Sequence, residues 1–141
     1  TRPGRRALMA IRFLLDTNIL SDLIRNPRGA AAQRLAEITE ATVCTSIVVA
    51  CELRYGASRS SPALTQRVEA LLDCIPVLPL DAEADRHYAE IRTALESRGQ
   101  CIGGNDLLIA AHGRALDATL VTHNRGEFER VPGLSVADWL A

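Results

Sequence analysis

A short apolar run from Ile11 to Leu15, interrupted only by Arg12, stops at Asp16, and apolar residues return at Ile19, Leu20, Leu23 and Ile24 with helical spacing. That pattern predicts a strand that ends on Asp16 and a helix over 17–25. The stretch NPRG, residues 26–29, is strong turn chemistry, and an Ala-rich helix is expected over 30–40. Thr42 to Ser46, rich in β-branched residues, reads as a second strand. A helical stretch over 47–59 follows, broken by Ser-Ser-Pro at 60–62, and another helix is expected over 63–73.

Ile75 to Leu80 reads as a third strand that Pro76 and Pro79 confine to short or edge-like pairing. A long helix is expected from Asp81 to Arg98, with acids early and arginines late as the helix dipole prefers, stopped by Gly99. Gly103 and Gly104 lead into a helix over 105–116, Thr119 to Thr122 forms a fourth strand, and Leu134 to Val136 a last short one before Trp139. Strands alternating with helices predict an α/β/α sandwich around a mostly parallel sheet of four to five strands. No internal repeat or linker interrupts the chain.

Composition narrows the class. The 141 residues, 48% of them apolar, suit one domain that buries a core without disulfides or a structural metal. The segment TRPGRRAL lacks periodicity, so residues 1–8 are expected to be a disordered arm or an appended remnant, and 9–141 the single domain. Cys44, Cys51, Cys74 and Cys101 form no C-x-x-C pair, and His87, His112 and His123 have no zinc-finger spacing. Reduced thiols, no zinc and a cytoplasmic location are expected. No apolar run is long enough to span a membrane.

Taking out the three arginines of the first eight residues moves the formal net charge from −1 to −4, which is no general polyanion-binding surface. All sixteen basic residues are arginine, which genomic base composition explains, and the lack of lysine removes every mechanism that needs an amine.

The carboxylates fall where chemistry is expected. In open parallel sheets, ligands bind beyond the carboxyl ends of the strands. Asp16 falls at such an end, Asp106 in the first turn of the helix entered by IGGND, and Glu52 in the helix after the second strand. Each has a plain structural explanation: Asp16 is a good helix N-cap, and an acid is favoured where Asp106 lies. Glu52 sits in SIVVACELRYGA among apolar neighbours, where a carboxylate needs a partner. Acids that converge repel one another, and a hard divalent cation is the usual compensation.

The stretches LLDTNILSDLI, SIVVACELRYGA, IGGNDLLIAAHGRAL and LVTHNRGEFERVPGL resemble, in order, the motifs of PIN-domain ribonucleases, specifically the VapC-like toxins of bacterial toxin–antitoxin pairs. The resemblance covers about residues 10–140. It implies three acids, here Asp16, Glu52 and Asp106, around Mg²⁺ or Mn²⁺. It also implies a fourth polar position at Asn124, whose amide brings no charge to a second metal, and supporting roles for Thr17, Asn18 and Thr122. Glu127 is near enough to substitute for Asn124, although Phe128 and Arg130 beside it suggest a solvated surface. His112 and His123 are taken as structural or RNA-facing.

On this resemblance the chain is a toxin and a metal-dependent endoribonuclease of single-stranded or loop RNA, of the tRNA or rRNA class. Its expected partners are a cognate antitoxin and a second copy of itself, with a toxin–antitoxin hetero-oligomer open. Arg25, Arg28, Arg54, Arg59 and Arg125 are candidates to hold the RNA backbone. Two rivals remain: a PIN-fold interaction domain without catalysis, and a receiver-type signalling domain, which requires a lysine this chain lacks.

Overall fold

A computed structural model describes residues 12–38, 42–81 and 83–141. The arm expected over residues 1–8 lies outside the described residues, as does Ile11. The elements run β1 (Arg12–Leu15), α1 (Thr17–Arg25), α2 (Ala30–Glu37), β2 (Thr42–Ser46), α3 (Ile47–Ser58), α4 (Pro62–Cys74), β3 (Val77–Leu78), α5 (Ala84–Ser97), α6 (Gly104–Ala115), β4 (Thr119–Val121), α7 (Arg125–Phe128) and β5 (Ser135–Ala137).

All paired strands are parallel and lie in the order β3-β2-β1-β4-β5. The chain therefore builds outward from β1 in one direction and then returns to add β4 and β5 on the other side. That reversal places a crevice at the carboxyl ends of β1 and β4, the position where open α/β sheets take ligands. Leu14, Leu15, Ile19, Leu20, Val49, Ile91, Ile109, Leu120 and Val121 are fully buried. They fill the space between sheet and helices from both faces. Strand and helix meet tightly at Asp16, whose backbone N–H donates to Val121 O at 2.9 Å.

Local chemistry sets most boundaries. Ser46 caps α3 by accepting from Val48 N at 3.1 Å, and Ser61 caps α4 by accepting from Leu64 N at 3.1 Å. Pro62, read from sequence as part of a break, is instead the first residue of α4, where its missing N–H costs nothing. The third strand shrinks from the expected 75–80 to Val77–Leu78 because Pro76 and Pro79 bracket it, and it does lie at a sheet edge. The helix expected from Asp81 begins at Ala84, since Glu83 takes a left-handed conformation with φ 84° that a helix cannot continue through. Arginines do not gather in its last turn: Arg92 lies mid-helix, bonded to Glu96, and Arg98 is the C-cap. Gly99, at φ 63°, stops it as expected.

Candidate active site

Four acids from four parts of the chain meet at the β1/β4 crevice. Asp16 enters because β1 ends there and α1 needs a cap: Oδ1 accepts from Thr17 N at 2.8 Å. Its other oxygen accepts from the Thr122 hydroxyl at 2.8 Å, at the end of β4. Burial raises the Asp16 pKa, the Thr122 and Thr17 hydrogen bonds oppose that rise, and the charges of Glu52 and Glu127 add to it.

Glu52 lies on α3, half-buried at the margin of a face formed by Val48, Val49, Leu53 and Ala57. The partner a carboxylate needs there comes from two other elements. Thr17 Oγ1 donates to Glu52 Oε1 at 2.5 Å, and Asn105 Nδ2 donates to Oε2 at 3.3 Å. Thr17 thus serves two acids, one through its backbone and one through its hydroxyl. Asn18 bridges similarly: its amide lies 3.5 Å from Thr122 Oγ1, and its carbonyl accepts from His123 N at 3.0 Å.

Asp106 is half-buried in the first turn of α6. Its carboxyl is pushed up to about 7, first by burial, then by a hydrogen bond to Glu127 and the charges of Glu127, Asp16 and Glu52. Glu127, although burial acts to raise it, is lowered on balance by the Asp106 proton, the Gly103 N–H, the Asn124 amide and the Arg130 charge. The two carboxyls are coupled, the protonated form being favoured at Asp106 and the ionised form at Glu127. Gly103 N donates to Glu127 Oε1 at 3.2 Å, and Asn124 Nδ2 donates to Oε2.

Glu127 therefore corrects the solvated-surface expectation. Its neighbour Phe128, taken as a surface sign, is fully buried, and this anchor holds the four-residue α7 with Glu127 against the mouth of α6. Asn124 does not point its amide at the other three acids but at Glu127. Asn105, which sequence reasoning passed over, orients Glu52; adjacency to Asp106 was its only signal.

The histidines separate. His112 is buried, with Nδ1 2.8 Å from Ser46 Oγ, so it ties α6 to the cap of α3 and cannot face RNA. Burial lowers its pKa, against the Asp81 charge and the Pro79 carbonyl. His123 is exposed and stands 3.0 Å from Asp138 Oδ2.

Among the arginines, Arg54 is committed to Glu69 through two bonds of 2.8 and 2.9 Å, and Arg125 to Glu129 at 3.0 Å. Arg59 stacks on Tyr55, 5.5 Å from the ring centre. Arg25 and Arg28 border an open surface hollow beside His123.

Among the described residues, no three His, Cys, Asp or Glu side chains stand as a ready metal cage. The donor set nevertheless suits a hard cation. All its atoms are oxygens, and two of the acids are raised partly by the charges of the others. Cys44 is buried, Cys51, Cys74 and Cys101 are exposed, and all four are unpaired. No helix among the described residues is long and apolar enough to cross a membrane.

Comparison with known proteins agrees with this architecture. The PIN domain family model matches residues 13–134. Ribonuclease VapC2 of Rickettsia felis is 36% identical over 130 residues, covering 90% of this chain and 97% of that protein. The tRNA(fMet)-specific endonuclease VapC of Shigella flexneri is 37% identical, covering 92% and 98%. Among solved structures, VapBC2 of Rickettsia felis bound to a promoter DNA fragment superposes with a TM-score of 0.87 at 35% identity, covering 92% of this chain and 99% of that one. DNA-bound VapBC of Salmonella typhimurium gives 0.81 at 34% identity, covering 92% and 98%. With its acids gathered at the reversal point of a five-stranded parallel sheet, the chain belongs to the VapC ribonucleases of the PIN domain family.

Proposed function

We propose that the chain is the toxin of a toxin–antitoxin pair and hydrolyses phosphodiester bonds in single-stranded or loop RNA of the tRNA or rRNA class, with Mg²⁺ or Mn²⁺ as cofactor. The observation that carries this reading is the meeting of Asp16, Glu52 and Asp106 in one crevice, with Glu127 beside Asp106. Asp16 and Asp106 are the direct holders of the cation, and Glu52 completes the set or orients the attacking water. When bound, such a cation lowers the pKa of a water and neutralises charge on the phosphate.

The chain's own residues do the rest. Thr122 and the Thr17 N–H fix Asp16, while the Thr17 hydroxyl and Asn105 fix Glu52. Asp106 must release its proton before it can hold a cation, so cation and proton compete for this carboxyl. Asn124 and the Gly103 N–H hold Glu127 ionised beside it.

An antitoxin partner is supported by the neighbours, which are VapBC complexes. A groove of about 320 Å³ between α1, α3 and α4, bordered by Ile24, Leu53, Ala57, Leu64 and Val68, runs to Thr17 and Glu52. An apolar antitoxin segment laid there reaches the acids. A homodimer belongs to the same reading, and a strict monomer by light scattering at high concentration counts against it.

The test is RNA cleavage by purified protein. Mg²⁺ or Mn²⁺ should support cutting, chelator should stop it, and expression in cells should arrest growth. Cutting that persists at full rate in chelator defeats the metal-dependent reading. A folded protein that binds its antitoxin yet never cuts RNA favours the interaction-domain reading.

A further inference from the structure

Tyr55 is the most exposed large apolar or aromatic side chain among the described residues, at 61%, and it lies outside the core cluster. Burial therefore does not explain an aromatic ring there. The ring is nevertheless held. Arg59, one turn on, places its guanidinium 5.5 Å from the ring centre, and Nη1 donates to the tyrosine hydroxyl at 2.6 Å. One side of the ring is committed to the arginine, and the exposure leaves the other to solvent.

A second tyrosine shows what is particular here. On α5, Tyr88 makes the same pairing with Arg92, whose guanidinium lies 6.0 Å from the ring centre and whose Nη1 donates to the hydroxyl at 2.9 Å. Tyr88 is half-buried against the core, and Arg92 is also paired with Glu96 at 3.1 Å. Packing and a local ion pair account for that arrangement. Neither accounts for Tyr55, since Arg59 forms no ion pair with another described residue.

The place of the ring supplies the reason. Glu52, Tyr55 and Arg59 lie within about 60° of one another around α3, so they form one strip leading away from the acids. Tyr55 stands only about 4.5 Å along the helix axis from Glu52. Beside it Gly56 opens the surface, because a Cβ there would meet no atom within 4 Å. A strand laid at the acids is repelled by their charges, so contacts that do not depend on charge must help to hold it. Stacking of bases on aromatic side chains is such a contact, and it tolerates any sequence because every base has a π-face.

Other occupants fit less well. On α3 the groove assigned to the antitoxin is bordered by Glu52, Leu53, Gly56 and Ala57 and not by Tyr55. Within a turn of the ring the exposed side chains of α3 are Cys51, Arg54, Ser58 and Arg59, with no second large apolar group to make the core of an interface with another copy.

We propose that Tyr55 is a base-stacking residue for the RNA: its free face takes an unstacked base of the single strand whose phosphate lies at the acids, and Arg59 locks the ring for it. The proposal rests on the ribonuclease reading for the origin of that strand, but its test does not require cleavage.

The probe is a short single-stranded oligouridylate with 2-aminopurine, whose fluorescence is quenched by stacking, placed at successive positions. Binding to the full-length protein is followed in chelator at several salt concentrations. One or a few adjacent positions should be quenched by wild type. Tyr55→Ala should lose that quench and bind about tenfold more weakly, the scale of one stacked base. Its salt dependence should stay unchanged, since no phosphate contact is lost. Tyr55→Phe should keep the quench and nearly all the affinity. Wild-type affinity or quench in Tyr55→Ala overturns the proposal, as does a reduced salt slope, or a wild type that binds no RNA. Tyr55→Phe as weak as Tyr55→Ala also overturns it, by making the hydroxyl bond the feature that matters. So does a Tyr55→Ala protein that loses RNA affinity only by passing from dimer to monomer in light scattering, which gives the ring to a second copy. A Tyr55-dependent quench in a protein that never cuts RNA supports the stacking site and removes the nuclease reading. Metal-dependent cutting without any such quench removes the stacking site alone.

Discussion

Asp16 stands at the β1–α1 junction with both carboxylate oxygens occupied, one by the Thr17 N–H and one by the Thr122 hydroxyl. Asp106 stands half-buried at the start of α6, hydrogen-bonded to another acid, Glu127. The fold needs the first as a helix cap and a tie between two strands. It carries the second at a cost, since burial and the neighbouring acids favour its protonated form. One acid is fixed by hydrogen bonds and the other by charge balance, so substitutions at the two should cost activity alike and stability oppositely.

The largest effect should not distinguish them. Asp16→Asn and Asp106→Asn are each expected to lower single-turnover RNA cleavage by about 100-fold or more, the scale on which charge-stabilising groups act. A variant that cuts at the wild-type rate takes that acid out of the site. Next, Thr17→Val removes the hydroxyl that holds Glu52 and should weaken Mn²⁺ binding by about tenfold, the lower end for residues that orient metal-binding side chains. Calorimetric titration checks this, and unchanged affinity places Glu52 outside the metal set.

Stability then separates the two acids. Asp16→Ala should cost about 1 kcal/mol in chelator through the lost cap, whereas Asp106→Ala at pH 8 should cost less than that or stabilise. Denaturant melts of both variants measure the difference, and equal losses collapse the comparison.

The comparison also predicts a pH dependence in chelator. Asp106 is raised from an ordinary carboxylate value to about 7, so between those values the folded chain holds a proton that the unfolded chain has lost. Stability from this group is fully present below the unfolded value and is lost as pH rises through about 7. The melting temperature should therefore fall from about pH 5.5 to about pH 8. Glu127 is lowered and contributes in the opposite sense only at more acid pH. Glu127→Gln should flatten the fall, and an unaltered profile in that variant breaks the pairing.

Much of this was legible in sequence because it depends on local pattern. The D-T-N after a short apolar run marked both the strand end and the cap, and Ser46 and Gly99 marked boundaries by their own chemistry. What escaped depends on elements too short to show a period. The four-residue α7 carries no pattern of its own, whereas β3 was expected as a short edge strand and only its length was overestimated. Phe128 and Val131, three apart and both buried, were the sign that the 125–131 stretch packs inward and turns Glu127 to the site. Asn105 escaped for another reason: its role is a bond to a side chain 53 residues earlier, which no local spacing encodes.

The central claim is that these acids form one metal site in which Asp106 carries the repulsion. Thermal melts of wild type and Asp106→Asn at about pH 8, each in chelator and in Mg²⁺ at roughly a hundredfold excess over its dissociation constant, test it most directly. Wild type should gain about 2.7 kcal/mol from the metal by mass action. The mutant should melt higher than wild type in chelator, because one repelling charge is gone and its amide can still donate to Glu127, and it should gain much less from Mg²⁺. A mutant that melts lower in chelator and responds to Mg²⁺ as wild type does would contradict the account.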